Sequence, residues 1–328
     1  MIADHLDKRL FTDELEQTPN RHGYGAGLKE AGARDERIVA LAADLTESTR
    51  THEFAEAYPE RFVQNGICEQ SMASVASGMA AMGKIPFFAS YAMFSPGRNW
   101  EQIRTTIAYN NVNVKIIGAH AGVSVGPDGA THQAIEDIAI MRVMPNMVVL
   151  APCDVHEARK AVLAAAKYEG PVYIRIARAP SPVVTTPESP FSIGQAKVFY
   201  TAGDIGEKRV GIVVTGTLVY EALQAARSLE EHGIGASVLH MATIKPFDTD
   251  SLEQFAATHD ALVTVEEHQY SGGLGGAVCE HLAEVRPTKV VRVGVHDEFG
   301  QSGEPNELIA HYGLDAKAIE AAAKRAIS

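Results

Sequence analysis

Basic residues are scarce, cysteines scarcer, and long apolar runs are missing. Lys and Arg number 29 against 41 Asp and Glu in 328 residues, a formal net charge of -12. That balance repels nucleic acid and anionic membrane surfaces at long range, and no basic stripe interleaved with aromatics offsets it. Its simplest role is solubility. The three cysteines, Cys68, Cys153 and Cys279, are far apart, odd in number and in no C-x-x-C pair. That spacing speaks against a disulfide framework or a cysteine metal site and leaves them as expected buried small hydrophobes. No stretch approaches the roughly eighteen unbroken apolar residues of a membrane helix. The opening MIADHLDKRLFTDELEQTPN lacks the basic start and apolar core of a secretory signal and is too acidic for a transit peptide, so a cytoplasmic location is expected.

Several chemical signatures are missing too. Without H-E-x-x-H, an EF-hand loop or clustered Cys and His, a catalytic metal held by this chain alone is not expected. The triplet Glu266-Glu267-His268 is contiguous on an expected strand, a poor arrangement for converging ligands. The absence of G-x-S-x-G weakens any hydrolase reading. The glycine turns in VTGTLVYEAL (214–223) and HQYSGGLGGAV (268–278) fit neither the dinucleotide nor the P-loop pattern and read as tight turns.

What remains is globular: 46% hydrophobic and 21% charged residues, in a chain long enough for two cores. Short Val- and Ile-rich runs alternate with helical stretches, the pattern of a mostly parallel twisted sheet with helices on both faces. The fold class is therefore α/β, in two such domains. Strands are expected at 37–44, 85–91, 113–120, 147–152 and 171–178, with helices at 69–82, 97–109, 133–142 and 154–168, the last capped by Asp154. ARAPSPVVTTPESPFSIG (177–194), with four prolines, reads as extended chain. The expected division is residues 1–180, a linker at 181–195, and a smaller domain at 196–328 with strands at 209–216, 235–241, 260–268 and 289–295.

Three stretches could carry chemistry. In GAHAGVSVGPDGATHQAIEDIA (118–139) a strand ends at His120 and a glycine-rich loop carries Asp128 and His132, at the strand-end position where open α/β sheets bind ligands. Two histidines and a carboxylate there suit hydrogen bonding to a polar substrate or proton movement near neutral pH. Read singly, Asp128-Gly129 is a turn and Thr131 a helix cap. IPFFASYAMFSPGRNWEQIR (85–104) gathers aromatics. Such a cluster is ordinarily core, but Tyr91 and Phe94 lie past the apolar run, where rings can stack on a flat heterocycle. FVQNGICEQSMASVASGMAAMG (62–83) is a helix of small residues with one carboxylate, Glu69, at its start.

Together these segments resemble the C-terminal half of transketolase, its pyrimidine-binding and C-terminal domains. The resemblance is carried in order by NRHGYG, AADLTEST, NGICEQSM, ASYAMF, GAHAGVSVGPDGATHQAIED and PVYIRIARAP. It implies a thiamine diphosphate enzyme that moves a two-carbon ketol unit from a ketose phosphate to an aldose phosphate. The family's G-D-G motif with a following Asn, marking the half that binds the diphosphate and its Mg2+ or similar divalent ion, is absent. The chain is thus similar to the second subunit of a split transketolase, needing an N-terminal partner subunit, with two copies of each.

By the same match Glu69 contacts a ring nitrogen of the aminopyrimidine and enables proton removal from the thiazolium carbon, with His132 assisting. Tyr91 and Phe94 pack around that ring, and Asp44 lies near the thiazolium. Arg21, Ser48, His120 and Arg178 resemble donors to the substrate's terminal phosphate, with Asp128 toward a sugar hydroxyl; an arginine fork pairs two phosphate oxygens at once. For Glu69 the alternative is a first-turn carboxylate on the helix macrodipole. The two readings differ on protonation, since proton sharing requires burial, which a partner against the small residues would supply. His22 after Arg21 and Cys68 before Glu69 depart from the family pattern. Deoxyxylulose-phosphate synthase and the beta subunit of a 2-oxo acid dehydrogenase are the neighbouring alternatives, and a non-catalytic binding module a more distant one. No site residue is expected in the second domain.

Overall fold

Branched and aromatic residues at β-compatible spacing, closed in on both faces, set the strands of this chain. The computed structural model describes residues 1–203 and 205–328. Among them the strands are β1 (Gln17–Pro19), β2 (Ile38–Ala42), β3 (Phe62–Gln64), β4 (Ile85–Tyr91), β5 (Lys115–Ala119), β6 (Val148–Leu150), β7 (Val172–Arg175), β8 (Pro180–Pro182), β9 (Lys197–Tyr200), β10 (Arg209–Val214), β11 (Gly235–His240), β12 (Thr243–Lys245), β13 (Ala261–Gln269) and β14 (Val290–Val295). The first sheet runs β12-β6-β7-β5-β4-β2-β3 and the second β14-β13-β10-β11-β9. Both are parallel except at one edge, where β12 lies antiparallel to β6 and β9 antiparallel to β11.

Neighbouring residues of β4 show how the first sheet is covered. Phe87 packs with Tyr24, Leu28 and Val162 from the helices Arg21–Arg34 and Val155–Lys167, whereas Phe88 faces Met72, Ala76 and Ile103 on the other side. Those two helices on the Phe87 side touch closely: a side chain at Gly23 would stand 2.0 Å from the Val155 carbonyl. Glycine there seats the helix that begins at Arg21. Asp154 caps Val155–Lys167 by accepting from the Glu157 amide at 2.9 Å. The helix Glu69–Ala81 buries Glu69, Met72, Ala73, Ala76 and Ser77 and leaves Val75 exposed, with Ile67 and Met82 also exposed at its two ends.

The two sheets share structure. β12 is the chain's return to the first sheet directly after β11. Leu6 and Leu10 from the N-terminal segment enter the core of the second sheet, which includes Ile212 of β10 and Val263 of β13. Three expectations are corrected. The helix expected at 133–142 begins at Asp137, because Ala134 is drawn into a bridge with Ala121 and the Thr131 hydroxyl bonds the His132 ring rather than capping. The helix expected at 97–109 forms only from Trp100 and winds as a π-helix over Ile103–Ala108. Of the cysteines only Cys153 is buried; Cys68 is exposed at the rim before Glu69, and Cys279 is partly exposed.

Candidate functional site

In the first sheet the chain leaves β2 for β3 on one side and for β4 and β5 on the other. Such a reversal marks the place, beyond the carboxyl ends of β2 and β4, where open α/β sheets hold ligands in a crevice. Tyr91 is the last residue of β4, His120 follows β5, and Arg178 follows β7. Their backbones deliver the side chains to one edge.

The Tyr91 ring centroid lies 4.0 Å from that of His120 and 6.1 Å from Phe94, to which it is nearly parallel. His132 stands edge-on to both, 5.5 Å from Phe94 and 6.1 Å from Tyr91. The Thr131 hydroxyl sits 2.9 Å from His132 Nδ1. Two flat rings and two imidazoles thus line one wall.

Beside them is a cationic corner. Arg21 Nη1 donates to the Ser48 carbonyl at 3.0 Å and lies 3.4 Å from His120 Nε2. Arg178 Nη1 donates to the Val125 carbonyl at 3.1 Å. Burial, followed by Arg178 and Arg50, pushes the Arg21 guanidinium down. Burial, then Arg21 and Arg178, pushes His120 down to about 3, so at neutral pH its ring is uncharged and Nε2 accepts from Arg21. Arg21 Nε and His120 Nδ1 are buried without a partner, and among the described residues no carboxylate pairs with Arg21 or Arg178. Unspent donors and unneutralised guanidiniums fit a bound anion.

Glu69 is 1% exposed in this chain alone, so the burial expected from a partner is supplied by the chain itself. One carboxylate oxygen accepts from Ser90 Oγ at 3.2 Å and the other pairs with Arg98 Nη1 at 2.7 Å. Arg98 also lies over the Phe94 ring, 4.9 Å from its centroid, which ties Glu69 to the aromatic wall. Asp44 and Asp128 stand further out, both exposed. Asp44 has φ 58° and its amide donates to the Gln64 side chain at 2.9 Å; Asp128 ends the turn Val123–Asp128.

Three residues of this region escaped sequence reading. Ser90 and Arg98 lie within the aromatic-rich segment 85–104, and the cation in GRNW was the available signal. Glu267 comes from β13 of the second sheet. It accepts the Ser124 amide at 2.6 Å and the Thr217 hydroxyl at 3.3 Å, although no site residue was expected there. Gly122 has φ 90°, and a side chain on it would meet the Glu267 carboxylate at 2.3 Å. The neighbouring Glu266 accepts from the Leu274 and Gly275 amides at 2.7 and 2.8 Å, so the glycine-rich turn holds the protein's own carboxylate.

A second cluster lies apart from the crevice. Cys153, Glu157 and His240 bring their ligand atoms within 4.8 Å of one another, all buried, although His240 is remote in sequence from the other two. His240 Nε2 is 2.8 Å from Glu157 Oε2, which also accepts the Cys153 amide at 2.8 Å. The contact links the helix Val155–Lys167 to β11 of the second sheet.

Known proteins share this sequence pattern and fold. Residues 16–182 match the transketolase pyrimidine binding domain and residues 204–319 the transketolase C-terminal domain. A chain of Methanocaldococcus jannaschii named as a putative transketolase C-terminal section is 45% identical, over 91% of this chain and 93% of its own. The 6-deoxy-6-sulfo-D-fructose transketolase subunit SqwH of Clostridium sp. strain MSTE9 is 40% identical, over 95% and 96%. A solved split gene transketolase, an inactive beta4 tetramer, superposes with a TM-score of 0.86 at 44% identity, over 95% of this chain and 99% of that one. These matches favour the first family named above over its neighbours.

Proposed function

Since this chain belongs to the transketolase family, we propose that it is the C-terminal subunit of a split transketolase. It moves a two-carbon ketol unit between sugars that carry a terminal anion, in the cytoplasm, together with an N-terminal subunit. The observation that carries this reading is the contact chain in which Tyr91 packs between Phe94 and His120, His120 meets Arg21, and Arg98 ties Glu69 to Phe94.

The family implies thiamine diphosphate, which when bound supplies the nucleophilic carbon that receives the two-carbon unit. The pyrimidine end fits here: Glu69 would share a proton at the ring nitrogen, and Tyr91 and Phe94 would hold the ring's faces and exclude water. Asp44 would lie on the thiazolium side. The diphosphate end and its magnesium belong to the partner, since this chain has no G-D-G motif with a following Asn. His132, fixed through Nδ1 by Thr131, moves a proton at the substrate. Arg21, Arg178, Ser48 and neutral His120 orient the substrate's anionic end, and Asp128 takes a sugar hydroxyl. The anion is a phosphate or, as in the relative that acts on a sulfosugar, a sulfonate. Two copies of each subunit complete the assembly.

Isothermal titration with thiamine diphosphate and magnesium tests the reading. This chain alone should bind poorly and its mixture with the N-terminal subunit well. Absence of uptake by the mixture sinks the enzyme reading.

A further inference from the structure

Arg98 touches two of the groups assigned above to the cofactor's ring. Its guanidinium lies 2.7 Å from Glu69 Oε2 and 4.9 Å from the Phe94 centroid. It therefore satisfies, in one side chain, the carboxylate and the aromatic face assigned above to the aminopyrimidine. Its side chain is 47% exposed while that of Glu69 is 1% exposed, so the cation stands at the mouth and the carboxylate behind it.

We propose that Arg98 is a positioning residue that holds Glu69 in the free subunit and yields both Glu69 and the face of Phe94 to the aminopyrimidine on assembly. The proposal rests on the reading of Glu69 given above. Three arguments support displacement rather than a shared site. Both Glu69 oxygens already have partners, Ser90 on one and Arg98 on the other, and of the two contacts the longer is to a serine fixed at 0% exposure. An ion pair is made by the charged carboxylate, whereas sharing a proton with a ring nitrogen uses a carboxyl that gives the proton up and takes it back, which an adjacent guanidinium opposes. Finally, a half-exposed arginine can swing into water at little cost, as the buried serine cannot. In the free subunit the same contact serves stability, because a buried carboxylate without a partner is strongly unfavourable.

Calorimetry of thiamine diphosphate with magnesium into the two-subunit complex tests this with wild type, Arg98→Met and Arg98→Lys. Methionine removes the competing charge and should tighten uptake by about three- to tenfold. Lysine, which keeps the charge but covers the ring poorly, should fall between the two. The gain should appear as a lower dissociation constant for thiamine diphosphate. A second readout uses this chain alone: Arg98→Met should lower its unfolding midpoint, and adding Glu69→Gln should restore it by removing the unpaired charge. Weaker or unchanged uptake by Arg98→Met beside normal wild-type uptake, or no restoration in the double variant, overturns the role of Arg98 alone. Absence of uptake by wild type overturns the transketolase reading and this inference with it.

Discussion

At the scale of single residues the site is organised by charge kept from water. Glu69 is buried against Ser90 and Arg98, and His120 is buried beside two guanidiniums. Their neighbours differ: the carboxylate meets a serine hydroxyl and one guanidinium, the imidazole a tyrosine ring and two guanidiniums. Glu69→Gln retains the shape and a carbonyl acceptor for Arg98 but loses the exchangeable carboxyl proton. Turnover should then fall by about two to four orders of magnitude while pairing with the partner persists. Steady-state kinetics beside gel filtration of the complex checks this, and near-normal kcat removes the proton-sharing role. The residue types of the crevice were legible in order along the chain. Arg98 was not, because its contact with Glu69 spans 29 positions and depends on how the segment after Phe94 turns back.

At the scale of elements, the loop after β5 is held from outside its own sheet. Glu267 reaches from β13 to the Ser124 amide, and Gly122 leaves it room. Burial pushes the Glu267 carboxyl up, with Arg175 and the Ser124 amide working against it. Glu267→Leu strands the Ser124 amide in the interior, at a cost of about 1 to 3 kcal/mol, and loosens the loop that carries His120, Asp128 and His132. The Michaelis constant for the sugar should rise more than kcat falls, and Glu267→Gln, which keeps an acceptor oxygen, should lose less. Equal losses in the two variants would show that the loop does not depend on that oxygen. Periodicity showed β13 as a strand, yet its contiguous carboxylates looked unable to act together. On a strand, successive side chains face opposite ways, and here Glu266 caps a helix while Glu267 grips a loop of the other sheet.

At the scale of the whole molecule, the two sheets are joined by groups that composition and spacing could not pair. β12 is three residues long and carries no alternating pattern of its own, and it finds β6 only in the folded chain. Just before it, His240 meets Glu157 across 83 positions. Burial works against both charges, but Glu157 holds His240 above its ordinary 6.5, and His240 holds Glu157 below its ordinary 4.5. A raised histidine contributes stability that is complete below 6.5 and is lost as pH rises through its folded value. A depressed carboxyl contributes stability that is present above 4.5 and is lost as pH falls through its folded value. The pair therefore stabilises the join of the sheets most between about pH 4.5 and 6.5. His120, pushed down to about 3, adds an acid-side loss of its own, so the pair is isolated only in a difference between chains. Removing one partner of such a pair costs about 3 to 5 kcal/mol. Denaturant unfolding of wild type and Glu157→Gln across roughly pH 3 to 9 should give a stability difference that peaks inside that window and shrinks on both sides. A difference that does not vary with pH would mean that the two groups are held together as neutral hydrogen-bond partners and that their charges do not join the sheets.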